Sequence, residues 1–176
     1  MLRFEVLTLF TEIFTSFLEE SLIKRAIEKQ YLNVSLVNFR KNGHGKHLQV
    51  DDTPYGGGPG MVLRIEPIAQ TLKEQKEFHR SSGRETHTIL VTPQGRPFTQ
   101  EKARELSRKK AVLTLICGRY EGFDERLCSL VDEEISGGDF ICMGGEVITM
   151  TMIETISRLV PEVLGNKESA VHESFT

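Results

Sequence analysis

Apolar and polar residues alternate in two short segments near the start of the chain. Arg3–Leu9 (RFEVLTL) and Leu32–Phe39 (LNVSLVNF) follow the two-residue period of a strand with one buried face. The segment between them, Thr11–Gln30, has helical composition, and we expect a break near Glu20-Ser21. The chain is therefore predicted to begin with a strand, a helix in two pieces and a second strand.

The second half of the chain repeats this alternation with more apolar strands. Ala111–Cys117 is nearly all apolar, as expected of a strand buried on both faces of a parallel sheet. Other predicted elements are strands at His87–Thr92, stopped by Pro93-Gln94-Gly95, and Val131–Ile135, and helices at Glu66–Arg80, Thr99–Lys109, Asp124–Leu130 and Val147–Val160, the last closed by Pro161. The order predicts an α/β fold with a mainly parallel sheet flanked by helices.

Glycine-rich loops follow three of these strands, at Thr92–Arg96, Gly118–Gly122 and Ser136–Gly145. Ligands of parallel α/β sheets bind outside the carboxyl ends of the strands, so we expect these loops to converge on one site. A longer irregular segment, Arg40–Arg64, contains several glycines and prolines. Loops of that length in a compact domain are usually functional.

The composition narrows the class of protein. With 176 residues, 39% hydrophobic and 27% charged, the chain predicts one ordinary globular domain. Its formal net charge of −3 requires any RNA partner to meet a local basic surface. No apolar run approaches the ~20 residues of a membrane helix, and Met1–Phe10 does not resemble a signal peptide, which favours a cytoplasmic protein. Cys117, Cys128 and Cys142 fit no zinc-binding spacing and are expected to be buried thiols.

Several familiar motifs are absent from the sequence. It has no G-x-x-x-x-G-K-[ST], no G-x-G-x-x-G after the first strand, no H-E-x-x-H and no G-x-S-x-G. Their absence argues against P-loop kinases, dinucleotide dehydrogenases, zinc proteases and α/β-hydrolases. Loops rich in glycine but poor in charge would suit a sulfonium cofactor, which needs no phosphate cradle, although glycines at strand ends more often serve turns.

Five segments carry a resemblance to one known family. They are VDDTPYGGGPGM (Val50–Met61), TPQGR (Thr92–Arg96), ICGRYEGFDER (Ile116–Arg126), SGGDFICMGGE (Ser136–Glu146) and SRLVPEVLGN (Ser157–Asn166). In motif order and spacing they resemble the bacterial tRNA (guanine-37-N1)-methyltransferases, the TrmD family. Together they extend over nearly the whole chain, and five motifs in the family's order are highly specific.

The resemblance implies properties that composition does not show. The family belongs to the SPOUT class, so we expect a deep trefoil knot in the C-terminal part of the domain, an exception to the rule that chains do not thread loops. It also implies a homodimer with active sites at the subunit interface, S-adenosylmethionine as methyl donor and tRNA as substrate. Residues 1–165 would form the methyltransferase domain and 166–176 the start of a linker. The C-terminal tRNA-binding domain would be absent, so this chain is expected to bind the cofactor but to methylate tRNA poorly.

The cofactor pocket of the family maps onto the three strand-end loops. The corresponding residues are Leu90, Val91, Thr92, Pro93, Gly118, Tyr120, Glu121, Gly137, Gly138, Asp139, Phe140, Ile141, Cys142, Gly144 and Gly145. Phe140 stands where the family usually has tyrosine. A valine at Gly144 is expected to block this pocket by bulk without touching any charge.

The RNA side of the family maps onto the long segment. The corresponding residues are His47, Asp51, Tyr55, Gly57, Gly58, Pro59 and Gly60. Lys41, His44, Lys46 and His47 could form a small basic patch for phosphate, although a solvated loop face is the common alternative.

The resemblance also assigns catalytic groups. The family's aspartate base matches Glu173, which keeps the carboxylate but moves it by about one methylene, and its assisting arginine matches Arg158. Asp124, Glu125 and His172 are alternative bases. Magnesium dependence in the family could involve Glu121, although the sequence contains no complete metal site. A cofactor-binding module without turnover, and a related SPOUT enzyme acting on another RNA, remain alternative functions.

Overall fold

A five-stranded parallel sheet forms the centre of the fold. In the computed structural model, which describes residues 1–164 and 174–175, its strands are β1 (Leu2–Thr8), β2 (Leu32–Asn38), β5 (Thr86–Pro97), β6 (Val112–Cys117) and β7 (Glu133–Ser136). Their order is β2-β1-β6-β5-β7, and every neighbouring pair is parallel. The predicted α/β class and mainly parallel sheet are confirmed.

Helices cover both faces of this sheet. They are α1 (Thr15–Glu19), α2 (Ser21–Glu28), α3 (Ile65–Ser81), α4 (Gln100–Ser107) and α5 (Glu146–Ser157), with 3-10 turns at Thr11–Phe14, Phe39–Asn42 and Glu125–Leu130. One core cluster packs α2, α4 and α5 against the sheet, through Ile23, Leu106 and Ile153 among others. A second cluster, including Ile68 and Leu72, packs α3 against the other face. No helix within residues 1–164 has the length and apolar character needed to cross a membrane.

The central strand behaves as its composition predicts. All six residues of β6 are buried, because β1 and β5 flank it and helices cover both its faces. The predicted break near Glu20-Ser21 is also confirmed, since Glu20 separates α1 from α2 and Ser21, the first residue of α2, takes a positive φ of 55°. Thr99 caps α4 as expected, its hydroxyl accepting a hydrogen bond from the Lys102 amide at 3.2 Å.

The expected end of β5 before Pro93 is wrong in part. Val91 and Arg96 both pair with Ile135 of β7, so residues 92–95 bulge out of the ladder and β5 continues to Pro97. Pro93 has no amide hydrogen to donate to a ladder, and bulges commonly accommodate such a residue. Pairing with β6 ends at Val91, where the sequence predicted, but pairing with β7 resumes at Arg96 and the strand continues.

Two other predicted boundaries need correction. The last helix ends at Ser157 rather than Val160, because Leu159 and Val160 donate to Ile156 and Ser157 in tighter turns. The long segment 40–64 is not wholly irregular. It holds a 3-10 turn and a two-residue antiparallel pair, β3 (Asp51–Asp52) with β4 (Val62–Leu63).

A buried hydrogen bond between a carboxyl group and an imidazole lies in the middle of the sheet, on the side of α3. Glu5 of β1 is 1% exposed, and its Oε2 lies 3.0 Å from Nε2 of His79 on α3. Thr114 also donates to Glu5, at 3.5 Å, and Arg84 Nε donates to His79 Nδ1 at 3.4 Å. Burial raises the pKa of the Glu5 carboxyl above its ordinary value of 4.5, although these partners oppose the shift.

Candidate functional site

The three glycine-rich loops converge on a cavity of about 470 Å³ at the carboxyl edge of the sheet. The loop after Val91 forms one wall, the loop after Cys117 forms the second, and residues 136–145 form the third. The N-terminal turn of α5 closes the cavity with Ile148. The convergence that strand order and loop position predicted is therefore present.

Most residues expected to hold a cofactor lie in this cavity wall. They are Leu90, Val91, Thr92, Pro93, Gly118, Tyr120, Glu121, Gly137, Phe140, Ile141, Cys142, Gly144 and Gly145. Gly138 and Asp139 are not part of the wall, and the Asp139 residue is exposed on the outer side of its loop. This placement is geometric, and the binding roles themselves stay predictions.

Sequence reasoning missed several wall residues. They are Gln94, Arg119, Gly122, Phe123, Glu125, Cys128, Glu134, Ser136, Met143 and Ile148. Most lie within or next to the quoted motifs, so proximity along the chain was an available signal. Glu134 could be found only from register, since it pairs with Leu90 across β5 and β7.

Gly145 brings the third loop against the second with no room for a side chain. Its amide donates to the Gly118 carbonyl at 3.0 Å. A Cβ at this position would lie 3.0 Å from Cys117 Cα and 3.1 Å from the Gly118 nitrogen, which are backbone atoms that cannot turn away. A side chain here would therefore press on that backbone and push two cavity walls apart.

Tyr120 carries the clearest backbone outlier of the cavity. Its φ is 60°, a left-handed conformation that large side chains seldom adopt. Such conformations persist where the surrounding structure imposes them, and they cluster at functional sites. Here the next residue, Glu121, donates its amide to the Met61 carbonyl at 2.9 Å, which fixes the turn.

A charged group that the sequence did not reveal lies directly behind Gly144. Arg119 Nε is 3.0 Å from Oε2 of Glu146, a side chain that is 2% exposed. A Cβ on Gly144 would lie 2.5 Å from that Arg119 nitrogen and 2.6 Å from Oε2. The expectation that a valine at Gly144 would touch no charge is therefore wrong, because this glycine packs directly on an ion pair.

The long segment 40–64 reaches the cavity. Leu63 donates to the Gly122 carbonyl at 2.9 Å, and Asp124 donates to Leu63 at 3.0 Å. A Cβ on Gly60 would collide with the Glu121 side chain. The residues expected on the RNA side thus continue into the second cavity wall.

The tip of that segment is open to solvent. Tyr55 is 96% exposed, Gly57, Gly58, Pro59 and Gly60 are exposed, and Asp51 is partly buried in the β3–β4 pair. His44, Lys46 and His47 are exposed too, on a turn in which His44 and Gln49 exchange backbone hydrogen bonds of 2.8 and 3.0 Å. Lys41 differs from them, since its ammonium pairs with Glu74 at 3.1 Å.

The three cysteines do not share one environment. Cys117 is fully buried, and burial raises the pKa of its thiol strongly, as expected for an inert core cysteine. Cys128 is half-buried in the cavity wall. Cys142 is exposed, so the expectation of a buried thiol is wrong there, because residue 142 lies in the third cavity loop rather than on a strand.

Of the candidate catalytic residues, the alternative base Glu125 lines this cavity. The others lie apart from it or outside the described residues. Arg158 is the C-terminal cap of α5, whereas the cavity meets the N-terminal turn of that helix. Glu173 and the alternative base His172 lie outside the described residues. Asp124 caps the 3-10 turn and pairs with Arg126, which lowers the pKa of its carboxyl, as expected of a helix-start residue rather than a base.

Comparison with known proteins shows which family has this architecture. The model of the tRNA (Guanine-1)-methyltransferase TrmD family matches residues 2–176. A tRNA (guanine-N(1)-)-methyltransferase of Geobacter sp. is 49% identical over 99% of this chain and 68% of its own length. One from Syntrophotalea carbinolica is 45% identical over 98% of this chain and 68% of its own.

The chain belongs to the tRNA (guanine-1)-methyltransferase family. The resemblance drawn from the five motifs is therefore confirmed. The crystal structure of tRNA (m1G37) methyltransferase from Aquifex aeolicus is 40% identical, with a TM-score of 0.80, and the match covers 94% of this chain and 72% of that one. This methyltransferase chain thus shares the parallel-sheet architecture of a solved family member.

Proposed function

We propose that this chain transfers a methyl group from S-adenosylmethionine to N1 of guanosine 37 in tRNA, next to the anticodon. The observation that carries the proposal is the cavity of three glycine-bearing loops at the carboxyl edge of the sheet, in a member of this methyltransferase family. The segment expected to meet RNA lies beside that cavity and is hydrogen-bonded to its second wall.

The cavity fits such a cofactor in chemistry as well as in position. Its wall combines apolar side chains such as Leu90 and Ile148 with the close backbone approach at Gly118 and Gly145. Apolar walls suit a purine face, and backbone groups at strand ends can hydrogen-bond its edge. The cofactor would supply an electrophilic methyl group on a positively charged sulfur, and three glutamates, Glu121, Glu125 and Glu134, line the same cavity.

Guanine N1 carries a proton at neutral pH, so transfer requires a base. We assign this step to Glu173, whose carboxylate would take the N1 proton as the nitrogen attacks the methyl group. The S–CH₃ bond would break as the N–CH₃ bond forms, and neutral S-adenosylhomocysteine would leave. Negative charge then develops toward the guanine O6, and Arg158 would stabilise it more strongly in the transition state than in the bound substrate.

The position of Arg158 favours a homodimer. Ile148 lines the cavity and Arg158 lies ten residues further along α5, which separates them by about 15 Å at the rise of an α-helix. An arginine at that distance would serve the cavity of a second copy more readily than its own. Four large apolar side chains near the N-terminal end of α5 are 54–89% exposed, and an interface would cover them. They are Phe140, Ile141, Met143 and Val147.

Three further features belong to the proposal. The first is the trefoil knot expected within residues 1–165. The second is phosphate binding by His44, Lys46 and His47. The third is the involvement of Mg²⁺ near Glu121, although the described residues contain no cluster of three metal-binding side chains.

Labelled methyl transfer to a tRNA transcript, followed by mass mapping of nuclease fragments, tests the proposal. We expect 1-methylguanosine at position 37, and a modified nucleotide elsewhere would identify a different RNA methyltransferase. Arg158→Ala and Glu173→Gln should each lower turnover on the order of 10²-fold. Their affinity for S-adenosylhomocysteine should stay near that of the unmodified chain, because both groups act on guanine. Sedimentation should give twice the chain mass of 19.9 kDa, and a mass of one chain at micromolar concentration would contradict the dimer.

A further inference from the structure

The carboxylate of Glu146 is buried where three parts of the chain meet. Glu146 is the first residue of α5 and is 1% exposed. Thr8, the last residue of β1, donates its hydroxyl to Oε1 at 2.9 Å. Arg119, two residues after β6, places Nε at 3.2 Å from Oε1 and 3.0 Å from Oε2. One carboxylate therefore joins the ends of two strands to the start of a helix.

The direction of each hydrogen bond is fixed. The Thr8 hydroxyl accepts from the Phe10 amide at 3.0 Å, so its own hydrogen is free to go to Glu146. Among the described residues, Oε2 receives no directed hydrogen bond, and the charge of Arg119 compensates it. The positive end of α5 adds to this compensation, because Glu146 lies in its first turn.

Arg119 is held on two further sides. Its guanidinium carbon lies 4.6 Å above the centre of the Phe10 ring, a cation–π distance. Its Nη1 donates to the Met143 carbonyl at 3.4 Å. Gly144 packs directly on the ion pair, as the steric contacts of an added Cβ indicate. Arg119 thus connects the buried carboxylate to the backbone of the third cavity loop.

We propose that Glu146 and Arg119 are positioning residues, which hold residues 143–145 in the shape that the cofactor cavity requires. The proposal rests on the proposed function only in naming the occupant of the cavity. Arg119 lines the cavity, but its charge is already paired with Glu146. Arg119 therefore acts by fixing the conformation of the loop, and Glu146 acts on the loop by holding Arg119 in place.

The first test uses hydrogen exchange of residues 137–146 in the chain without ligand. In Arg119→Met we expect their amides to exchange on the order of tenfold faster, since the contact to Met143 is lost and a buried carboxylate is left without its partner. Arg126→Met is the matched control. Arg126 belongs to the same motif but pairs with Asp124 at the surface and does not line the cavity, so its variant should leave this exchange unchanged.

The second test is a double-mutant cycle on S-adenosylhomocysteine affinity, measured by calorimetry. Glu146→Gln should weaken binding on the order of tenfold in the unmodified chain and by less than twofold in the Arg119→Met background, because its effect passes through Arg119. Arg119→Lys keeps the charge and should recover part of both readouts. If Glu146 only supported the fold, Glu146→Gln would lower the melting temperature, and its effect on affinity would not depend on whether Arg119 is present.

The outcomes separate the two proposals. If the unmodified chain binds no S-adenosylhomocysteine, the proposed function fails, and loop exchange still decides the positioning role. Unchanged exchange of residues 137–146 in Arg119→Met would overturn that role, as would equal losses from Glu146→Gln in both backgrounds.

Discussion

Two buried carboxylates in this protein have the same exposure and different partners. Glu5 lies in the middle of the sheet against His79, and Glu146 lies at the carboxyl edge against Arg119, and each residue is 1% exposed. Burial raises the pKa of the Glu5 carboxyl above its ordinary value, whereas the partner of Glu146 is an arginine, which stays charged across the whole working pH range. The central carboxylate therefore makes folding depend on pH, while the edge carboxylate is paired with a permanent cation.

The largest expected effect removes the cavity without touching either carboxylate. Gly145→Val should abolish measurable S-adenosylhomocysteine binding, because its Cβ would lie 3.0 Å from Cys117 Cα, with further atoms beyond. Calorimetry at millimolar ligand is the measurement. Gly83→Asn in the turn after α3 is the control, since that position has a φ of 66° and open space around it. Binding by Gly145→Val within threefold of the unmodified chain would contradict the assigned pocket.

The next prediction tests whether the Glu5 pair affects stability and leaves ligand affinity unchanged. His79→Leu leaves Glu5 buried without its partner, and we expect a loss of about 3–5 kcal/mol in the free energy of unfolding. Affinity for S-adenosylhomocysteine in the folded fraction should not change. Urea unfolding provides the measurement, and adding Glu5→Leu should recover much of the loss. A change in affinity with little change in stability would reverse the contrast between the pairs.

A smaller effect follows from the titration of Glu5. Its folded pKa lies above 4.5, so the folded state binds this proton more tightly than the unfolded state. The contribution of Glu5 to stability is therefore complete below pH 4.5 and is lost as the pH rises through the folded pKa. As the pH rises through the folded pKa, the unfolding free energy of the unmodified chain should decrease relative to that of Glu5→Gln. Urea midpoints at a series of pH values measure it, with the exposed Glu28→Gln as control.

The smallest effect concerns a carboxylate at the surface. Hydrogen bonds from Gln70, Asn42 and Lys41 lower the pKa of Glu74 to about 2. Its contribution is present above pH 4.5 and is lost as the pH falls toward 2. The side chain is 36% exposed, so solvent screening should limit the effect of Glu74→Gln at neutral pH to below about 1 kcal/mol. In thermal melts, Glu74→Gln should lower the melting temperature more at pH 7 than at pH 3. A larger decrease at pH 3 would contradict the prediction.

The pattern of apolar positions predicted much of the fold, because most elements are locally encoded. β6 could be recognised since all its residues face core, and the three loops could be placed together since parallel strands end at one edge. The bulge in β5 could not be predicted, as it depends on Val91 and Arg96 sharing one partner on another strand.

The partners of the two buried carboxylates were beyond sequence reasoning for a physical reason. Thr8 and Glu146, which share a hydrogen bond, are 138 residues apart, and Glu5 and His79 are 74 apart. A glutamate in a strand pattern or at a helix start looks like an ordinary exposed charge, and only the folded chain shows which side chains reach it. The same holds for Lys41, assigned to a phosphate-binding patch by composition and found beside Glu74.

The strand order has a consequence for synthesis of the chain. Phe4 of β1 pairs with Leu113 of β6, 109 positions later, and β5 meets β1 only through β6. Until β6 leaves the ribosome, β1 can pair only with β2, and its other edge stays open. At typical rates of translation this edge waits on the order of 5–20 seconds for its partner. An apolar strand edge that stays unpaired for this time is a binding site for chaperones. Substitutions within β6 should therefore reduce the yield of folded protein in cells more than they slow refolding of the finished chain.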